Sequence, residues 1–356
     1  MVDVVVVDDS QFMRIQVRGI LEEHGLSVVG EAGNGKDAVE TVSEQRPDVV
    51  TMDVKMPGMD GIEAVEEIMA TQPTPILMLS RYTEDGGETT FEALEAGAVD
   101  FFLKPDGEVS PTLLQYAADL AENVRVVADA EVSARTADAG TVTHSAGTTA
   151  TSEIAPESPP TVVVAASTGG PPVVESILEA LPATVGLRVI VVQHMPEQFT
   201  DRFAERLDAR CELSVHEVAH NDRLGPNEAV VAKGGYHTDV RSDRGQVLSV
   251  TLNEEPPVHS VRPAADMTLG AVAATVSGPI VGVVLSGMGR DGTAGLERIR
   301  EAGGTAIVQQ PADARIASMP ERAIEAGAAD AVRPAAEIPD AILDAIAEGS
   351  PSWAED

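Results

Sequence analysis

A short, β-rich apolar run, then a turn, then a segment of helical period: this unit recurs along the chain and narrows the folds open to it. The runs Val4–Val7, Val28–Gly30, Asp48–Met52, Ile76–Leu79 and Asp100–Leu103 alternate with helix-period segments at Ile15–Leu21, Ala38–Val42, Ile62–Met69 and Thr90–Ala96. Strands alternating with helices of this length build βαβ units, and βαβ units build a parallel sheet covered by helices. Five runs predict an α/β, doubly wound (βα)5 domain over residues 1–125.

The alternation then stops. Between residues 129 and 160 Ala, Thr and Ser dominate, and Leu, Met, Phe, Tyr and Trp are all missing. Such a segment buries too little surface to offset its ordering entropy, which predicts a flexible linker over 126–160. Over 161–348 the pattern resumes, with strands expected at Val162–Ala166, Arg188–Gln193, Ile280–Leu285 and Thr305–Val308. Helices are expected at Val173–Leu181, Phe199–Leu207, Leu296–Ala302 and Ile338–Ala347. This reads as a second, Rossmann-like α/β domain with an antiparallel insertion near 212–252, followed by a tail at 349–356.

Charge excludes several functions. Fifty-eight acidic side chains face 24 basic ones, a net charge of −34. That surface repels phosphate backbones and anionic lipids, so neither nucleic acid binding nor membrane insertion is expected. A hydrophobic content of 43% argues for packed cores rather than self-repelling disorder. A folded chain of this charge suits concentrated salt, where the screening length shrinks to about 3 Å at 1 M. Cys211 is the single cysteine, so no disulfide framework exists, and no apolar run reaches the roughly 18 residues of a membrane span. The start lacks the basic residues of a signal peptide, and the expected location is cytoplasmic.

In an open parallel sheet, ligands bind beyond the carboxyl ends of the strands. In the first domain that edge collects Asp8 and Asp9, Asp53, Ser80 and Lys104. Each has a plain alternative as a helix cap or a solvated turn residue. Three converging carboxylates repel one another unless a hard cation such as Mg²⁺ joins them, and a carboxylate held there can attack phosphorus. The stretches VDDS (7–10), MDVKMPGMDG (52–61) and DFFLKP (100–105), with Ser80, resemble a response-regulator receiver domain. The resemblance implies that Asp53 accepts a phosphoryl group from a histidine kinase, with Asp8, Asp9, Asp53 and the Lys55 carbonyl around Mg²⁺. It also implies that Ser80 and Lys104 support the phosphoryl group, and that Ser80 and Phe101 report it by a hydroxyl shift and a ring rotation.

The second domain places Ser167, in the tight turn AASTGGPP, after one predicted strand and His194, in QHMP, after the next. Asp291 follows a third, in LSGMGRDG. Singly, each reads as a cap, a structural histidine or a turn residue. Together they carry the logic of a Ser-His-Asp triad, although the G-x-S-x-G elbow of α/β-hydrolases is missing. A Gly-rich turn can also cradle phosphate, but neither G-x-G-x-x-G nor the P-loop pattern is present. His216-Glu217-Val-Ala-His220 spells the zinc-protease motif H-E-x-x-H, yet alternating residues before it and Asn221, Gly225 and Pro226 after it oppose the helix that chemistry needs.

AASTGG, QHMP and LSGMGRDG, with Gln310-Pro311 and Ser318-Met319-Pro320, resemble the catalytic domain of the CheB protein-glutamate methylesterases of chemotaxis. A receiver, a linker and this domain, in that order, is the architecture of that family. The resemblance implies that Ser167 attacks glutamate methyl esters on methyl-accepting receptors and releases methanol, that receptor glutamines are deamidated as well, and that ester hydrolysis needs no cofactor. His194 is then general base and acid, Asp291 orients it, the Met288 backbone N–H holds the oxyanion, and Thr168 lines the site. Arg262 resembles a pocket position. Pro226-Asn227 and Ala232-Lys233-Gly depart from the family's loops without touching the triad.

Overall fold

The computed structural model describes residues 1–81, 86–104, 116–130, 132 and 158–349. Most of the expected linker and all but one residue of the expected tail lie outside the described residues. No described helix is long and apolar enough to cross a membrane.

The first unit runs β1 (Asp3–Val7), α1 (Gln11–Glu23), β2 (Ser27–Ala32), α2 (Gly35–Gln45), β3 (Val49–Asp53), α3 (Gly61–Thr71), β4 (Ile76–Arg81), α4 (Gly86–Ala96), β5 (Asp100–Lys104) and α5 (Ala117–Ala128). All five strands are parallel, in the order β2-β1-β3-β4-β5, the doubly wound arrangement expected. The central strands are apolar on both faces because helices cover both. Helix starts follow local chemistry: Ser10 caps α1, and Asp60 and Glu63 form a reciprocal capping box on α3.

The second unit contains β6 (Thr161–Ala166), α6 (Pro171–Ala180), β7 (Arg188–Gln193), α7 (Glu197–Asp208), β8 (Ser214–Glu217), β9 (Asp222–Leu224), β10 (Glu228–Val231), β11 (His237–Asp243) and β12 (Leu248–Asn253). It continues with α8 (Ala265–Thr275), β13 (Ile280–Val284), α9 (Thr293–Glu301), β14 (Thr305–Gln309), α10 (Ser318–Glu325), β15 (Ala331–Arg333) and α11 (Ile338–Gly349). Seven parallel strands form one sheet, β15-β14-β13-β6-β7-β10-β8. The region near 212–252 is only partly an antiparallel insertion. β9, β11 and β12 make a separate antiparallel sheet, whereas the four-residue strands β8 and β10 extend the parallel one.

The two units share a contact surface. Phe91 of α4 stacks on Phe203 of α7 at 5.5 Å between ring centroids, and Phe101 of β5 lies 4.5 Å from Phe199. Glu95 pairs with both Arg206 and Arg210, and Glu175 receives the same two guanidinium groups from the other side. Arg315 Nη1 donates to the Ala98 carbonyl at 2.5 Å. Buried residues of both units, from Val5 and Ile76 to Val164 and Phe203, form one continuous apolar cluster.

Candidate active site and phosphoacceptor pocket

The carboxyl ends of β1, β3 and β5 build the first pocket. Asp8 and Asp53 are 1% and 8% exposed, Asp9 is exposed, and the carboxylate oxygens of all three lie within 4.8 Å of one another. Lys104, 4% exposed, sets its ammonium between two of them, 2.6 Å from Asp8 Oδ2 and 2.7 Å from Asp53 Oδ1. Burial raises the Asp53 carboxyl above its ordinary value, against the opposing pull of Lys104. Three carboxylates and one ammonium leave a net negative pocket of oxygen donors, a donor set that fits a hard divalent cation. Gly61 opens α3 against this pocket: a Cβ there would lie 2.0 Å from the Asp53 carbonyl oxygen. Ser80 Oγ shares a hydrogen bond of 2.9 Å with Thr90 Oγ1, and Lys55 is exposed two residues past Asp53. Phe101, at the other end of β5, faces the second unit rather than the pocket.

The second site gathers where β6 lies between β13 and β7, so the segments leaving the three strands are neighbours. Ser167 N–H donates to the Ser286 carbonyl at 3.0 Å and His194 N–H to the Ala166 carbonyl at 2.9 Å, which ties all three segments together. The Gln193 amide donates to the Ser167 carbonyl at 2.8 Å. His194 Nε2 lies 2.8 Å from Asp291 Oδ2. Asp291, 2% exposed, also accepts the backbone N–H groups of Ala265 (2.6 Å), Asp266 (2.9 Å) and Gly292 (3.0 Å). Burial opposes its ionisation, but these donors and His194 outweigh burial and hold the carboxyl below its ordinary value. No hydrogen bond joins the Ser167 hydroxyl to His194 among the described residues.

The turn after β13 presents one open backbone donor. Gly287 N–H donates to the Ile316 carbonyl and Gly289 N–H to Ser318 Oγ, while the Met288 N–H between them has no partner among the described residues. Gly287 is required by packing: a Cβ there would meet Met319 Sδ at 2.3 Å and Ser167 Cβ at 2.7 Å. Thr168, 6% exposed, follows Ser167 and lies against the side chain of Asp100 from the first unit. Arg262 Nη1 is held by the Glu254 and Glu255 carbonyls at 3.1 Å.

Residues 162–342 match the profile of the CheB methylesterase domain, and residues 4–113 match that of the response regulator receiver domain. The chain belongs to the CheB methylesterase family. A protein-glutamate methylesterase/protein-glutamine glutaminase of Natronomonas pharaonis is 51% identical over 96% of this chain and 97% of its own. A protein of the same description from Halobacterium salinarum is 46% identical over 97% of this chain and 99% of its own. Among solved structures, the CheB methylesterase catalytic domain of Thermotoga maritima aligns at a TM-score of 0.50 and 36% identity, covering 52% of this chain and 98% of that one.

In this CheB-family chain the H-E-x-x-H stretch is no zinc helix. His216 and Glu217 end strand β8 and His220 lies in a turn, so the spacing does not put both rings on one helix face. His216 pairs with Asp222 at 3.1 Å, Glu217 accepts from Lys233 and Thr200, and His220 packs edge-on against Tyr236. Sequence reasoning passed over Asp100, Glu95 with Arg206, and a second histidine–carboxylate pair, His259–Asp266, beside the first. Each gains meaning only from a neighbour distant in sequence or from a strained loop.

Proposed function

We propose that this chain is a phosphorylation-activated serine esterase that hydrolyses glutamate methyl esters on methyl-accepting chemotaxis receptors, releases methanol, and deamidates receptor glutamines. The His194–Asp291 pair, on segments tied to that of Ser167, together with the open Met288 N–H on the turn packed against Ser167, carries the reading. An ionised Asp291 is acceptor-only, so His194 Nε2 carries the proton of that bond and Nδ1 is the basic nitrogen. Nδ1 takes the Ser167 proton as Oγ attacks the ester carbonyl, and the developing oxyanion meets Met288 N–H. The imidazolium returns its proton to the departing group, which leaves as methanol from an ester or as ammonia from an amide. Water, activated by the same nitrogen, then frees the acyl group from Ser167.

In the receiver, Asp53 is the nucleophile toward the phosphorylated histidine of a chemotaxis kinase. Asp8, Asp9, Asp53 and the Lys55 carbonyl are the residues that would hold Mg²⁺, which when bound neutralises phosphoryl charge. Lys104 and Ser80 steady the phosphoryl oxygens. Contact of Asp100 with Thr168 and of Phe101 with Phe199 supports a resting state in which the receiver covers the catalytic edge. The reading places the protein in the cytoplasm, where receptor helices and kinase are available.

Methanol release from methyl-labelled receptor membranes in molar KCl, with a phosphodonor and Mg²⁺, tests this. Release that vanishes in Ser167→Ala is the expected result. Release that persists in that variant, or none from the wild type, would overturn it.

A further inference from the structure

Resting on the reading in which Asp291 orients His194, we propose that His259 is a positioning residue of the esterase, a hydrogen-bonded strut for the turn carrying Met288 and Asp291. Val258 and Val261 bridge each other, and His259 and Ser260 at the tip hold φ of 52° and 65°. Left-handed backbone at two successive non-glycine residues is strained and needs surroundings that hold it. Here the tip carries an imidazole onto a buried carboxylate.

The bonds run without a gap to the catalytic base. His259 Nε2 lies 2.8 Å from Asp266 Oδ2, and Asp266 Oδ1 accepts Gly295 N–H at 2.7 Å. Asp266 N–H in turn donates to Asp291 Oδ1 at 2.9 Å, and Asp291 Oδ2 binds His194. On the other side of the ring, Arg290 Nε donates to His259 Nδ1 at 3.3 Å. Arg290 sits between Met288 and Asp291, so its anchor is an anchor for both.

Proton placement makes the arrangement conditional. An ionised Asp266 accepts only, so Nε2 carries the hydrogen and Nδ1 is left as a lone pair for Arg290. One neutral tautomer satisfies both neighbours. The charged groups facing the ring are Asp266 from α8, Arg290 and Asp291 from the turn after β13, and, in its own loop, Arg262, which is held by carbonyls. Ligand atoms of His259, Asp266 and Asp291 lie within 4.8 Å of one another, a spacing that could suit a cation. Arg290 and the N–H donors on both carboxylates already complete the set, which favours the strut.

The test is kcat/KM and kcat against pH for the full-length protein in molar KCl, with phosphodonor and Mg²⁺. It compares wild type, His259→Phe, His259→Gln and Ser167→Ala. Displacing a catalytic turn by a fraction of an ångström predicts a kcat loss of about tenfold in His259→Phe at pH 8, with KM little changed. Glutamine can accept from Arg290 and donate to Asp266, so His259→Gln recovers most of that loss. A kcat reduced about tenfold in His259→Gln, or a wild-type kcat in folded His259→Phe, would overturn the strut, and the first outcome stands even if the phenylalanine variant misfolds. Full activity of Ser167→Ala would overturn the esterase reading instead, so the two failures are distinguishable.

Discussion

The Asp100 carboxyl, at the start of the last receiver strand, lies against the side chain of Thr168, the residue after the proposed nucleophile. Burial raises it from 3.8 to about 6, against weaker opposing pulls from Thr168, the Phe101 N–H and Arg315. The docked state therefore binds a proton more tightly than the separated one. Docking is strongest below 3.8, weakens as pH rises toward about 6, and is flat above. The ratio of unphosphorylated to phosphorylated esterase rates should rise across that window, since any pH dependence of the chemistry common to both states cancels in the ratio. Asp100→Asn, neutral throughout, should flatten the ratio. A rise that survives in Asp100→Asn would remove Asp100 from the interface energetics.

Phe101 makes the second contact. Aromatic pairs contribute about 0.5–1.5 kcal/mol beyond burial, up to roughly tenfold in an equilibrium. Phe101→Ala removes the receiver's half of the pair and leaves the catalytic unit intact. Its unphosphorylated rate should climb several-fold toward the phosphorylated one, measured as methanol release. An unchanged basal rate would mean that Phe199 is covered without consequence.

Lys104 stands between Asp8 and Asp53 at 2.6 and 2.7 Å. Removing one partner of a buried charge pair costs about 3–5 kcal/mol because the other charges stay buried. Lys104→Met should lower the receiver's melting temperature in calorimetry, and added Mg²⁺ should restore part of the loss. Chelation should stop phosphoryl incorporation in wild type, and Asp53→Asn should stop it even with Mg²⁺ present. A variant as stable as wild type without Mg²⁺ would contradict the charge balance inferred for this pocket.

Gly287→Ala brings a methyl group to 2.3 Å from Met319 Sδ and 2.7 Å from Ser167 Cβ. Overpacking of this kind costs about 1–3 kcal/mol. Because the displaced atoms belong to the nucleophile's own residue, kcat should fall at least about tenfold, more than folding alone accounts for. Near-normal kcat in a folded variant would show that the turn can shift without disturbing Ser167.

The sites were legible where chemistry sits at the end of an apolar strand. Val4–Val7 aims Asp8, Ile280–Val284 leads to Asp291, and the sheet then needs only strand order to bring Ser167, His194 and Asp291 together. Contacts between units were not legible. Glu95 and Arg206 read as ordinary helix-surface charges until α4 and α7 meet, and Asp100 is one acid among 58. Helix α8 escaped because ADMTLGAVAAT is apolar or small on every side, so no face stands out. Strands β8 and β10 were too short for their residues to announce a parallel sheet.

The shared apolar cluster has a thermodynamic consequence. Two units whose cores are continuous unfold together, because neither can melt without exposing the other's buried surface. The unphosphorylated protein should give one calorimetric transition, with van't Hoff and calorimetric enthalpies in agreement. Once the units part, the same chain should melt in two steps, so the heat-capacity trace reads out the signalling state of the molecule without substrate.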